Sequence, residues 1–191
     1  MSATPDKETL NDFKKEGYDV VTLFTRYHNK PIPVPVVKVR FWIFKYLFLI
    51  VTLKKFIKEN KPCLIFVPTI EESENLYHFL NIFAKGGYFV NSKIKNRSKI
   101  IEDFRNNKYK YLVTTAILER GVTLKNLQVI IFNADNSIYN ENSLIQISGR
   151  VGRKIGYESG EVIFIVQKNT KFIKTAISTI REANKHLQGL F

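Results

Sequence analysis

Short continuous apolar runs bounded by turn residues alternate along this chain with longer stretches in which apolar positions recur every three or four residues. The runs at 62–67, 88–90, 109–114, 128–132 and 161–166 predict strands. A strand covered on both faces has no polar side to alternate with, so it reads as an unbroken apolar run. Helical stretches lie between and after them. Residues 68–84 open with Thr69 as a candidate N-cap and Glu71 and Glu72 in the first turn, and stop at Gly86-Gly87. Residues 97–106 set Ile100, Ile101 and Phe104 on one side, and 140–147 form a short helix. Residues 170–186 space Phe172, Ile173, Ile177 and Ile180 for one face.

The first third is less regular. Residues 20–24 read as a short strand. Pro31, Pro33 and Pro35 alternate through an extended connector that cannot be helical. Residues 36–60 read as one helix, very apolar in its first half, with Lys54, Lys55 and Lys58 at the negative end of its dipole. Its segment 41–53 is the most membrane-like stretch, but it is shorter than the roughly 18 apolar residues a span needs, and Lys45 interrupts it. A buried or docked helix is expected there, and no membrane span. Strands alternating with helices at this spacing give an α/β fold, a parallel sheet with helices on both faces.

Composition sharpens the choice of partner. The 191 residues are 45% hydrophobic, which supports a real core, and carry a net charge of +13 with a pI near 9.7. That balance favours a polyanionic partner, nucleic acid before membrane, or else a solvated basic surface. Cys63 is the one cysteine, which leaves no disulfide framework or cysteine-type zinc site, and in a buried strand it behaves as a small hydrophobe. His28, His78 and His186 are scattered without partners at metal-ligand spacing, so no metal site is expected.

The chemistry concentrates in residues 146–153, Gln-Ile-Ser-Gly-Arg-Val-Gly-Arg. Arg150 and Arg153, three apart, would share one face of a helix, each a fixed fork of donors that matches phosphate oxygens. The segment is either such a clamp or an ordinary basic turn. Ligands of parallel α/β sheets bind where loops leave the carboxyl ends of strands. Three segments are placed there: Pro68-Thr69, the stretch from Thr114-Thr115 to Val122, and the arginine segment. Thr69 and Thr115 either offer a hydroxyl and an N–H to a phosphate or cap the local backbone. Lys93, Lys95, Arg97 and Lys99 either contact a nucleic-acid backbone or form a solvated face.

In combination these segments resemble the second RecA-like lobe of a superfamily 2 helicase, the helicase C-terminal lobe. Ser2-Ala3-Thr4 is similar to the motif that ends the first lobe, and Leu64-Ile-Phe-Val-Pro68 to the fourth motif. Thr114-Thr115 with Glu119-Arg-Gly121-Val122 resembles the fifth, and Gln146 to Arg153 the sixth. Within that superfamily Arg26-Tyr27-His28, Ile117 to Val122 and Gln146 to Arg153 look like the ComFA-type late competence helicase, a DNA-uptake motor. The primosomal replication-restart helicase is similar at its sixth motif but carries a cysteine cluster, and Asn91-Ser92 departs from the pattern where related chains have a histidine nearby.

The resemblance implies residues 1–35 as the end of a first lobe and the interlobe linker, and 36–191 as the second lobe. It implies Arg150 and Arg153 as arginine fingers toward nucleotide held by the first lobe, with Gln146, Gly121 and Gly149 beside that nucleotide. Thr69, Thr115 and Arg97 would hold nucleic-acid phosphates, and Ser2 and Thr4 would couple hydrolysis to strand movement. ATP and Mg²⁺ are the implied cofactors, held mainly by the first lobe. Single- or double-stranded DNA, a first lobe in cis or trans, and DNA-uptake proteins at the membrane are the implied partners, in the cytoplasm or at the inner membrane face.

The sequence contains neither the Gly-x-x-x-x-Gly-Lys-Ser/Thr loop that cradles phosphates nor the acidic motif that holds magnesium. The expectation is a back half of a longer motor, inactive as an ATPase by itself. The apolar segment near Phe41 to Val51 is expected to face the first lobe and to limit solubility. The alternative is a stand-alone module that binds nucleic acid or a partner without an ATP cycle.

Overall fold

The computed structural model describes residues 12, 15–16, 30–115 and 124–188. Among the described residues there are six strands: β1 (Val36–Val39), β2 (Cys63–Phe66), β3 (Gly87–Val90), β4 (Tyr111–Thr114), β5 (Gln128–Phe132) and β6 (Val162–Val166). The helices are α1 (Trp42–Lys58), α2 (Ile70–Phe83), α3 (Arg97–Arg105), α4 (Glu141–Ser148) and α5 (Lys171–Gln188). The strands form one sheet in the order β1-β6-β5-β2-β4-β3, and every pairing is parallel.

Alternation along each strand divides the core into two layers. Leu64, Phe66, Leu112, Val129, Ile131 and Phe164 point to one side, where Phe104 of α3, Leu144 of α4 and Ile173 of α5 meet them. Cys63, Ile65, Val113, Ile130, Phe132 and Ile165 point to the other, against Leu49, Leu53 and Phe56 of α1 and Leu76 and Leu80 of α2. Both faces are therefore dry, and β2, β4, β5 and β6 are buried at every residue.

One expectation needs correcting. Residues 36–60 are not one helix, because Val36–Val39 is a strand and α1 starts only at Trp42. Three of those four residues are valines, whose branching suits a pleated ladder. The outer edge of β6 is open to them, with Val36 opposite Ile163 and Val39 opposite Val166. The ladder outweighs the helical pattern that the following apolar residues suggest. The expected 20–24 strand lies outside the described residues.

Lys45, the one charge within the apolar run 41–53, is 6% exposed. It shares the buried stripe of α1 with Leu49, Thr52, Leu53 and Phe56, at helical spacing. At the start of β3, the pair Gly86-Gly87 does more than follow a helix. Gly86 has φ +95°, and the ring of Tyr111 occupies the place a Cβ on Gly87 would take. The Tyr111 hydroxyl then donates to the Ala84 carbonyl at 2.8 Å, closing the end of α2.

Candidate functional site

β2 and β5 are neighbours, yet α2 carries the chain from β2 toward the β3 edge while α4 carries it from β5 to β6. Loops leaving adjacent strands in opposite directions open a crevice at their carboxyl ends, the usual ligand position in such sheets. Thr69 stands on the β2 side of that crevice. It caps α2, its Oγ1 accepting the Glu72 amide at 3.1 Å, and is exposed to solvent. Thr115 leaves the next strand at the same level, because Phe66 pairs with Thr114 and the Val67 amide donates to the Thr114 carbonyl at 2.8 Å. Thr115 itself is buried, and Thr114 Oγ1 donates to its carbonyl.

Inside the crevice lies a polar cluster that sequence reasoning missed. Lys45 Nζ donates to Asn133 Oδ1 at 2.8 Å and sits 5.1 Å from the Phe132 ring centre and 5.3 Å from that of Tyr46. Burial holds the ammonium below its ordinary range, and the negative charges of Glu72 and Asp135 oppose that. Glu72 Oε2 is buried and has no hydrogen-bond partner among the described residues. Asp135 ties β5 to β6 by accepting the Gln167 and Lys168 amides, both at 3.0 Å. The signal for Lys45 was its position on the helix stripe. Nothing in the sequence marked Asn133, whose φ of +55° fits the left-handed exit from β5.

The arginine pair is arranged differently from the expectation. α4 ends at Ser148 with Gly149 as its cap, so Arg150 and Arg153 lie beyond the helix instead of on one of its faces. Glycine does not sustain a helix, and Gly152 with φ +70° turns the chain back. The turn still brings the guanidinium groups into electrostatic reach. Arg150 is held below its ordinary range by burial first and by the charge of Arg153 second. Its guanidinium lies 5.8 Å from the centre of the Phe66 ring, which braces it against the last residue of β2. Arg153 is exposed, and its Nε donates to the Gly149 carbonyl at 2.7 Å, where a cation suits the end of a helix.

The segment is also packed tightly from below. A Cβ on Gly160 would come within 2.7 Å of the Leu127 carbonyl and closer still to Val151 Cγ1. Residues 127 and 160 flank the amino ends of β5 and β6, so the chain after α4 lies at that edge of the sheet. The expected placement at the carboxyl edge therefore holds for Thr69 and Thr115 but not for the backbone of the arginine segment. α4 has carried it back, and the Arg150 side chain leans over Phe66.

Gln146 is exposed in the last turn of α4 and Gly149 is buried. Arg97 is the first residue of α3 and half-exposed. Asn91 is a brace, donating to Ser73 Oγ at 3.2 Å and Glu74 Oε1 at 3.1 Å. Ser2, Thr4 and Gly121 lie outside the described residues. Among the described residues no group of three or more His, Cys, Asp or Glu could hold a metal ion, and no helix is long and apolar enough to cross a membrane.

Residues 45–155 match the helicase conserved C-terminal domain. The chain is 33% identical over 197 residues to the competence protein ComFA of Bacillus subtilis, covering 97% of this chain and 42% of that protein. It is 33% identical over 200 residues to the competence protein ComFA of Streptococcus pneumoniae, covering 97% and 45%. It thus spans less than half the length of these relatives. Among solved structures, S. cerevisiae Dbp5 bound to RNA and ADP BeF3 superposes with a TM-score of 0.68 at 21% identity, over 96% of this chain and 48% of that one. The C-terminal domain of the DEAD-box protein Dbp5 gives 0.60 at 21% identity, over 84% and 98%. At such identity the superpositions speak for the RecA-like α/β fold, and the sequence match speaks for the family. The chain belongs to the helicase conserved C-terminal domain family, and is related to the competence protein ComFA.

Proposed function

We propose that this lobe is the second motor lobe of an ATP-dependent DNA translocase of the competence DNA-uptake type. In this reading residues 1–35 end the first lobe and link it to 36–191. Arg150 and Arg153 reach the phosphoryl groups of a nucleotide held by the first lobe, with Gln146, Gly149 and Gly121 beside it. Thr69, Thr115 and Arg97 engage the DNA backbone, and Ser2 and Thr4 couple the two events. The lobe works on the cytoplasmic side, with DNA-uptake proteins at the membrane as neighbours.

The observation that carries the proposal is that Arg150 is braced on the ring of Phe66, the last residue of β2, while Arg153 three residues on lies at the surface. Each guanidinium presents a fixed fork of donors that matches phosphate oxygens, so their chemistry fits a phosphoryl group. Bound ATP would supply the scissile phosphoanhydride, and its magnesium would be held by the first lobe. The contribution of this chain is positive charge set in place before the reaction.

The test joins this chain to a first lobe carrying the phosphate-binding loop and measures DNA-stimulated ATP turnover. Arg153→Ala is expected to lower turnover about 10³-fold or more while DNA binding persists. Unchanged turnover would overturn the proposal. A net charge of +13 favours a second reading, a nucleic-acid binding module with no ATP cycle. That reading predicts binding indifferent to ATP, with log K falling against log salt by about 0.7 per phosphate neutralised on single strands.

A further inference from the structure

Of residues 31–35, only Ile32 and Val34 own a backbone N–H, because Pro31, Pro33 and Pro35 have none. Such a connector offers few hydrogen bonds by which a domain could hold it. Ile32 is nonetheless held at both of its backbone groups. Its N–H donates to Asn184 Oδ1 at 2.8 Å, and Asn184 Nδ2 donates to the Ile32 carbonyl at 2.8 Å. One carboxamide thus copies the paired bonds that two antiparallel strands exchange, across 152 residues of sequence. Beyond this clamp Pro35 is buried, β1 runs its ladder along β6, and the Arg40 amide donates to the Val166 carbonyl at 2.9 Å.

We propose that Asn184 is a positioning residue that fastens the connector to α5, so that the chain from Ile32 onward moves with this lobe. This rests on the two-lobe reading above only for its consequence in a motor. An extended segment pinned at Ile32 and continued into β1 is a strut. A segment free as far as Val36 would be a tether, passing on the rotation of one lobe to the other less directly.

Amide hydrogen exchange on the full chain reads the clamp without reference to any motor. Asn184→Leu is expected to speed exchange at Ile32 by about tenfold or more, with the Arg40 amide unchanged as the control that β1 is still paired. An Ile32 rate equal to that of the unaltered chain would overturn the clamp. The consequence is read with a first lobe joined upstream. Asn184→Leu and Ile32→Pro, which deletes the N–H while keeping the extended backbone, should each lower kcat for DNA-stimulated ATP turnover roughly threefold or more. KM for ATP should hold, since neither residue belongs to the nucleotide site. Because both changes remove one contact, the double variant should be no worse than the worse single one. Turnover unaffected in both variants, with Ile32 exchange accelerated, would overturn the strut. A joined wild-type protein without any turnover would instead count against the two-lobe function, and exchange would still decide the clamp.

Discussion

The two long helices cover opposite faces of one sheet and meet water in opposite ways. α5, of 18 residues, turns Ile173, Ala176, Ile180 and Leu187 inward and Lys171, Lys174, Arg181 and Lys185 outward. α1, of 17 residues, turns Leu49, Leu53 and Phe56 inward, yet leaves Trp42, Ile43, Phe44, Leu47 and Val51 57–77% exposed. Its one charge near that end, Lys45, faces the core. A helix that is apolar all round is suited to burial on both sides, and a contiguous exposed apolar surface marks an interaction site. The outer surface of α5 is finished for water, and that of α1 is not. What holds a helix to its sheet and what its outer face is for are therefore separate questions, and substitution can address them one at a time.

The largest expected effect is on the inner stripe of α1. Phe56 is fully buried, and Phe56→Ala should cost about 3–5 kcal/mol of stability, from lost transfer energy and the cavity left behind. Ile173→Ala on α5 should cost about 2–5 kcal/mol for the same reasons. Urea unfolding followed by Trp42 fluorescence and by far-ultraviolet circular dichroism measures both. If the probes coincide, α1 and α5 belong to one cooperative unit. A cost below about 1 kcal/mol for Phe56→Ala would make α1 a loosely attached flap and remove the symmetry on which the comparison rests.

The same contrast explains how far the sequence could be read. α5 was legible because its apolar and charged residues separate cleanly at helical spacing. The central strands were legible because both of their faces are dry. The start of α1 was not, since with apolar residues on every side the period does not say which stripe faces in, and Val36 to Val39 could join either a helix or a ladder. Only the open edge of β6, a feature of the assembled sheet, decides that. In the site, Thr69 was readable as a cap from its neighbours Glu71 and Glu72. The geometry of the arginine pair was not readable, because Gly149 and Gly152 end the helix on which a shared face was expected. Asn133 and Asn184 act through partners 88 and 152 residues away, and no local pattern announces such contacts.

Directional bonds add a smaller term on the side of α5. Thr179 Oγ1 donates to Glu141 Oε1 at 2.7 Å, joining α5 to the first turn of α4. Thr179→Val keeps the shape and removes the donor, and should cost about 1 kcal/mol in the same urea experiment. Water can replace the lost donor, because Glu141 is only half-buried. A much larger loss would mean that this bond positions α4, and through it the arginine turn, beyond its local worth.

The smallest effect on stability is expected where the most apolar surface shows. Phe44→Gln and Leu47→Gln alter side chains that are 61% and 57% exposed, so each should change the stability of this chain by no more than about 0.5 kcal/mol. Their effect should appear in association instead. Sedimentation of the unaltered chain at rising concentration should show self-association, and the double variant should remain monomeric, because the apolar face of α1 is what adheres. Trp42, the one tryptophan and 77% exposed, supplies a second reading. Its emission should shift to shorter wavelength when the face is covered, and the variant should abolish the concentration dependence of that shift. If instead the double variant loses more than about 1 kcal/mol, the outer face is supporting the fold itself. The contrast between α1 and α5 would then be one of packing within the lobe, with no separate surface for a partner to cover.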